Sequence, residues 1–133
     1  MKRLHVLCRK IGRERFMSKA DRYQQIIQQT RIRFLADASL KMQDLQHRFE
    51  DYDHGRLSAD HRTLPDAIHR HAHAIKGLAL TLSYEGIDHI CEEILNFILY
   101  QPDHVWTAED IQYLRQMVTT LDGLLTEASS TQA

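Results

Sequence analysis

The sequence predicts an all-α protein, an antiparallel up-down four-helix bundle. Three observations lead there. Apolar residues recur with the 3.6-residue spacing of a helix, and strand-like alternation is nearly absent. Four such segments are separated by short polar connections, the arrangement of a bundle. The 133 residues contain only five Gly and two Pro, too few for a many-turned β-sandwich.

The first helix is expected from about Ser18 to Tyr52. Ser18 with Asp21 three residues on resembles a capping box. The apolar stripe is Tyr23, Ile27, Phe34, Ala38, Met42, Leu45 and Phe49. The polar stretch around Gly55 reads as a connection. Thr63 is placed to cap the second helix, with Pro65 and Asp66 suited to its first turn. That helix is expected to reach Ser83 or Tyr84, with Gly86 marking a break. The third helix runs from about Ile87 to Tyr100, with Ile87, Ile90, Cys91, Ile94 and Ile98 on one stripe and Pro102 beyond its end. The fourth follows Thr107, whose side chain pairs with Asp110 as a capping box. Its stripe is Ile111, Leu114, Val118, Leu121 and Leu125.

The domain organisation read from these segments is a basic arm over 1–17, a bundle over 18–128 and a frayed tail over 129–133. The arm has room for a short extra helix, since Leu4, Leu7, Cys8 and Ile11 share helical spacing. Residues 1–16 carry six cations against Glu14, a charge of +5, so a net charge of −1 leaves −6 for the remainder. An acidic body argues against nucleic-acid binding. No run of 18 apolar residues predicts a membrane span, and no apolar segment marks a secretory leader. Two cysteines, Cys8 and Cys91, far apart in a chain large enough for its own core, fit a reducing, cytoplasmic setting.

Function is read from HRHAHAIKGLALTLS, residues 69–83. With a rotation of roughly 100° per residue and Leu64 at zero, Leu64, Ile68, Ala72, Ile75, Ala79 and Leu82 fall within about 80° of one another. On the same wheel His73 lies at about 180°, on the side away from that stripe. Lys76 lies at about 120°, His69 at about 140°, Leu80 at about 160° and Gly77 at about 220°. His73 is thus expected to face solvent, with Lys76 and Gly77 one turn on. A mid-helix glycine costs roughly 1 kcal/mol relative to alanine, and close approach by another molecule is one reason to keep it. An exposed imidazole is a competent nucleophile near neutral pH. A nearby ammonium and open space suit it to an anionic phosphoryl group. His69 and Leu80, on the same side, are candidates for docking a partner.

The string resembles the signature of histidine-containing phosphotransfer (HPt) domains, His-x-hydrophobic-Lys-Gly-x-Ala-x-x-hydrophobic-Gly. The matching residues are His73, Ile75, Lys76, Gly77, Ala79 and Leu82, followed by Ile87, Ile90, Cys91, Glu92 and Ile94 in the next helix. Ser83 departs from the family's usual Gly, and Leu78 stands where a small residue is common. The resemblance implies an antiparallel four-helix bundle in which His73 is the phosphoacceptor, Lys76 supports the phosphoryl group and Gly77 clears space for a receiver domain. It implies a phosphorelay intermediate in two-component signal transduction. The partners implied are a response-regulator receiver domain and a histidine kinase, and the chain is a monomer or one part of a multidomain sensor. Any Mg²⁺ belongs to the receiver, and no cofactor is expected on this chain. A rival reading is a module that docks a receiver or kinase and inhibits it without being phosphorylated.

Other chemistries fit less well. His69 and His73 have the i, i+4 spacing of a zinc pair. The inward Glu-x-x-His pairs of a metal bundle do not occur, however, so no metal site is expected. His71, at about 340° on the wheel, reads as a partly buried packing residue. His5, His47, His54, His61, His89 and His104 read as surface. Cys91 sits on a core stripe, and a buried thiol is a poor nucleophile. Without a Gly-rich phosphate loop there is no sign of an ATP site, so the chain reads as a phosphoryl carrier rather than an enzyme. Phe16, Phe34, Phe49, Phe97 and Trp106 read as core or core-edge residues.

Overall fold

The computed structural model describes residues 18–56, 63–100 and 105–132. The basic arm with Cys8 and Phe16, Pro102, and three histidines (His5, His61 and His104) lie outside the described residues. The chain divides into two compact units, Met1–Arg31 and Ile32–Ala133. This division falls inside the first helix.

Four helices follow in order: α1 Lys19–Asp53, α2 Thr63–Ala79, α3 Glu85–Leu99 and α4 Ala108–Gln132. In the first unit, the Ser18 hydroxyl accepts the Asp21 backbone N–H at 3.0 Å and so caps α1. Tyr23 is 62% exposed and Ile27 half-buried, where both were expected in the core. Helical periodicity marks which residues share a face but not whether a neighbour covers it. The buried run of α1 begins at Phe34 and takes in Leu35, Ala38, Met42, Leu45 and Phe49.

In the second unit, the antiparallel course shows in which residues meet. Asp44 of α1 bonds His71 of α2, and Phe34 stacks on Tyr84 at the far end of the pair. Asp53 binds Arg115 of α4 while Gln46 reaches Asp122. Phe97 of α3 packs on Tyr113 of α4. The bundle core is aliphatic, with Leu45, Ile68, Ile75, Leu82, Ile94, Ile111, Leu114 and Leu121 fully enclosed. Among the described residues no polar or charged residue is buried. Phe34, Phe49 and Trp106 are buried and Phe97 is half-buried.

Helix ends follow local chemistry. Thr107 and Asp110 form the full capping box at α4: each side chain accepts the other's backbone N–H, at 3.2 and 3.0 Å. Thr63, expected as a cap, is the first residue of α2 itself. Gly86 does not break the chain; it is the second residue of α3. The break lies at Ser83, with a φ of +68°. Its N–H donates to the Leu80 carbonyl, and the Tyr84 N–H donates to the Ala79 carbonyl at 2.8 Å. These two bonds are a Schellman closure, which satisfies carbonyls a helix end would otherwise leave open. At its far end, α4 runs through Ser129, Ser130 and Thr131 to Gln132. The hydroxyls of Ser130 and Thr131 donate to the carbonyls of Glu127 and Ala128.

Candidate functional site

The apolar face of α2 is anchored by Leu64, Ala67, Ile68, Ala72, Ile75 and Ala79, all buried. This fixes the rotation of the helix and turns the opposite face outward. His73, in the middle of that face, is exposed. Its ring lies nearly parallel to that of His69, at 12°, with centroids 6.2 Å apart. His69 is half-buried, so the two imidazoles form a short stack along the helix. One turn beyond His73, a Cβ placed on Gly77 would meet nothing within 4 Å apart from the adjoining residues and the local helix backbone. The space beside the imidazole is therefore open. Leu80, in the turn that closes α2, is 58% exposed, and Leu78 is exposed as well.

Lys76 is placed differently from the free cation the helical wheel suggests. Its Nζ lies 3.2 Å from Oδ1 of Asp88, in the first turn of α3. The two side chains are 34% and 16% exposed, so the pair sits at the edge of the core. Sequence reasoning missed Asp88. No spacing within α2 marks it, because only the return of α3 alongside α2 brings the two side chains together. Cys91, one turn further along α3, is fully buried and free. Burial, and after it the negative charge of Asp88, pushes its thiol up to about 12.

His71 does more than pack. It is only 14% exposed, and its Nε2 lies 2.7 Å from Oδ2 of Asp44 on α1. The same oxygen accepts a hydrogen bond from Arg48 Nε at 2.9 Å. The bond from His71, above all, holds the Asp44 carboxyl below its ordinary value, with Arg48 adding to the effect and partial burial opposing it. His71 thus ties α2 to α1. His47, His54 and His89 are exposed; His89 pairs with Glu93 and His54 contacts the Glu50 carbonyl. Among the described residues no three His, Cys, Asp or Glu side chains gather in a way that could hold a metal ion. No described helix is long and apolar enough to cross a membrane.

A rigid bundle thus presents an imidazole with an open position beside it and an anchored ammonium nearby. Residues 15–124 match the family model described as Hpt domain. The chain belongs to the Hpt domain family. The match spans all of the site and most of the bundle, and the helical architecture of this Hpt domain agrees with the family's. Membership places the chain in phosphotransfer of two-component signalling, among phosphocarriers rather than enzymes, with receivers and kinases as the family's partners. No curated protein and no solved structure matches the chain.

Proposed function

We propose that this Hpt domain is a phosphorelay intermediate in which His73 takes a phosphoryl group from a receiver-domain aspartate, or from a histidine kinase, and passes it to a receiver aspartate. The observation that carries this reading is the exposure of His73 beside the empty volume at Gly77. In-line attack needs an unobstructed approach to the ring, and a receiver's acyl phosphate lies in a concave site that only a protruding side chain can enter.

In the step, the Nε2 lone pair of His73 attacks phosphorus. The Nε2–P bond forms as the P–O bond to the receiver aspartate breaks, and the bonding pair leaves with the carboxylate. The reverse sequence discharges the group to the next receiver. Mg²⁺ and carboxylates on the receiver would supply most of the charge stabilisation. This chain supplies a nucleophile on a stiff helix, the Lys76 ammonium for the phosphoryl oxygens, and apolar contact through Leu80, with His69 at the rim of the docking face. The free thiol of Cys91 is in keeping with a cytoplasmic setting.

Incubation with a phosphorylated receiver or kinase tests the reading. Acid-labile, base-stable label should appear on the wild-type chain and not on His73→Gln. Stable binding without any label would replace the carrier by an inhibitory docking module.

A further inference from the structure

We infer that Asp88 is a positioning residue for the phosphoryl chemistry at His73, acting through Lys76. This rests on His73 being the phosphoacceptor.

A lysine carries its charge on a flexible four-carbon stem, and an unanchored one divides its time among many rotamers. Lys76 is on the same helical face as His73, three residues on, where side chains are neighbours. Its Nζ is held 3.2 Å from Asp88 Oδ1, on a different helix. That oxygen is sealed from solvent and accepts no hydrogen bond in the ordinary geometry, so the Lys76 ammonium is its counter-charge. The main chain of Asp88 is held in the first turn of α3, where its N–H donates to the Tyr84 carbonyl. The ammonium is therefore set by α3 rather than by its own stem. An ammonium has three donors, and engaging Asp88 leaves others for phosphoryl oxygens arriving at His73.

The arrangement also makes the ammonium a shared resource. A phosphoryl group on His73 brings further negative charge within reach of the cation that neutralises Asp88. Any movement of Lys76 toward the phosphoryl group weakens its hold on the first turn of α3. The state of His73 is in this way coupled to the α2–α3 corner, beside the Ser83 turn.

The test uses the full chain and potassium phosphoramidate as donor. His73 Nε2 attacks phosphorus, the P–N bond of the donor breaks, and ammonia leaves with a proton from solvent. The rate of phosphoryl incorporation is followed by intact mass for Asp88→Asn and Asp88→Glu, each in the Lys76 and the Lys76→Met background, with thermal unfolding recorded for every variant. Asp88→Asn is expected to slow incorporation roughly five- to tenfold when Lys76 is present and to leave it unchanged when Lys76 is Met. Asp88→Glu should restore part of the rate. An equal loss in both backgrounds, or none in either, overturns the positioning role, whatever happens to stability. Incorporation into His73→Gln at the wild-type rate is a separate outcome and removes the underlying reading of His73.

Discussion

Ser83 closes α2 with the same pair of hydrogen bonds by which Gly55 closes α1. At both ends a residue of positive φ, +68° and +72°, donates its N–H three residues back. The next residue, Tyr84 or Arg56, donates five residues back, at 2.8 Å in each case. Glycine takes this conformation without a Cβ penalty, whereas serine bears a strain of about 1 kcal/mol. Ser83→Gly is therefore expected to raise stability by about 1 kcal/mol, read as an increase in denaturation midpoint at constant m. Gly55→Ala, with open space around the site but the same φ, should lower it by a similar amount.

The bond between His71 and Asp44 makes a second prediction, on acid stability. The Asp44 carboxyl lies below its ordinary value of 3.8 in the folded chain. A group depressed in this way contributes stability that is present above its unfolded value and lost as pH falls through the folded one. Asp44→Asn should cost about 1 kcal/mol at pH 6, because it replaces a charge-assisted hydrogen bond by a neutral one. The gap between variant and wild type should then narrow as pH drops below about 4, where Asp44 is protonated in the unfolded chain. Urea titrations at pH 6 and pH 3.5 measure both gaps. A gap as large at the lower pH would show that the carboxylate charge is not what His71 recognises.

A third prediction concerns Cys91. With its thiol pushed up to about 12 and no exposed surface, the sulfur is neither ionised nor reachable at neutral pH. In a Cys8→Ser background, alkylation by iodoacetamide at pH 8 should be on the order of 100-fold slower in buffer than in denaturing urea, since it must wait for the core to open. Reaction at the rate of a free thiol would mean that the α3 stripe is not sealed.

What the sequence shows in advance is local or periodic. The stripes of α3 and α4 lie where 3.6-residue spacing puts them, and the Thr107–Asp110 box forms because both partners sit within one turn. The rotation of α2, and with it the exposure of His73, follows from the same spacing. Features that depend on a neighbour are hidden. Tyr23 continues the α1 stripe in sequence yet is exposed, because covering requires a partner that periodicity does not supply. Lys76 looks free on a helical wheel, and only the antiparallel return of α3 brings Asp88 to it. Ser83 carries no turn signal of its own. The nearby glycine, Gly86, lies inside α3 instead.

Gly77 permits the sharpest separation of stability from function. A methyl group there would meet no packed neighbour, since apart from the adjoining residues and the local helix backbone nothing lies within 4 Å of the added Cβ. Gly77→Ala should therefore stabilise α2 by up to about 1 kcal/mol through helix propensity alone. In the proposed relay the same methyl would project into the space through which a receiver approaches His73. Phosphoryl exchange with a receiver domain should fall while reaction with phosphoramidate, small enough to enter from other directions, changes little. The comparison of the two donors on one variant is what matters. A more stable protein that loses only the receiver-dependent rate assigns the glycine to partner approach. An unchanged receiver rate would mean that the open space at Gly77 is not where the partner sits.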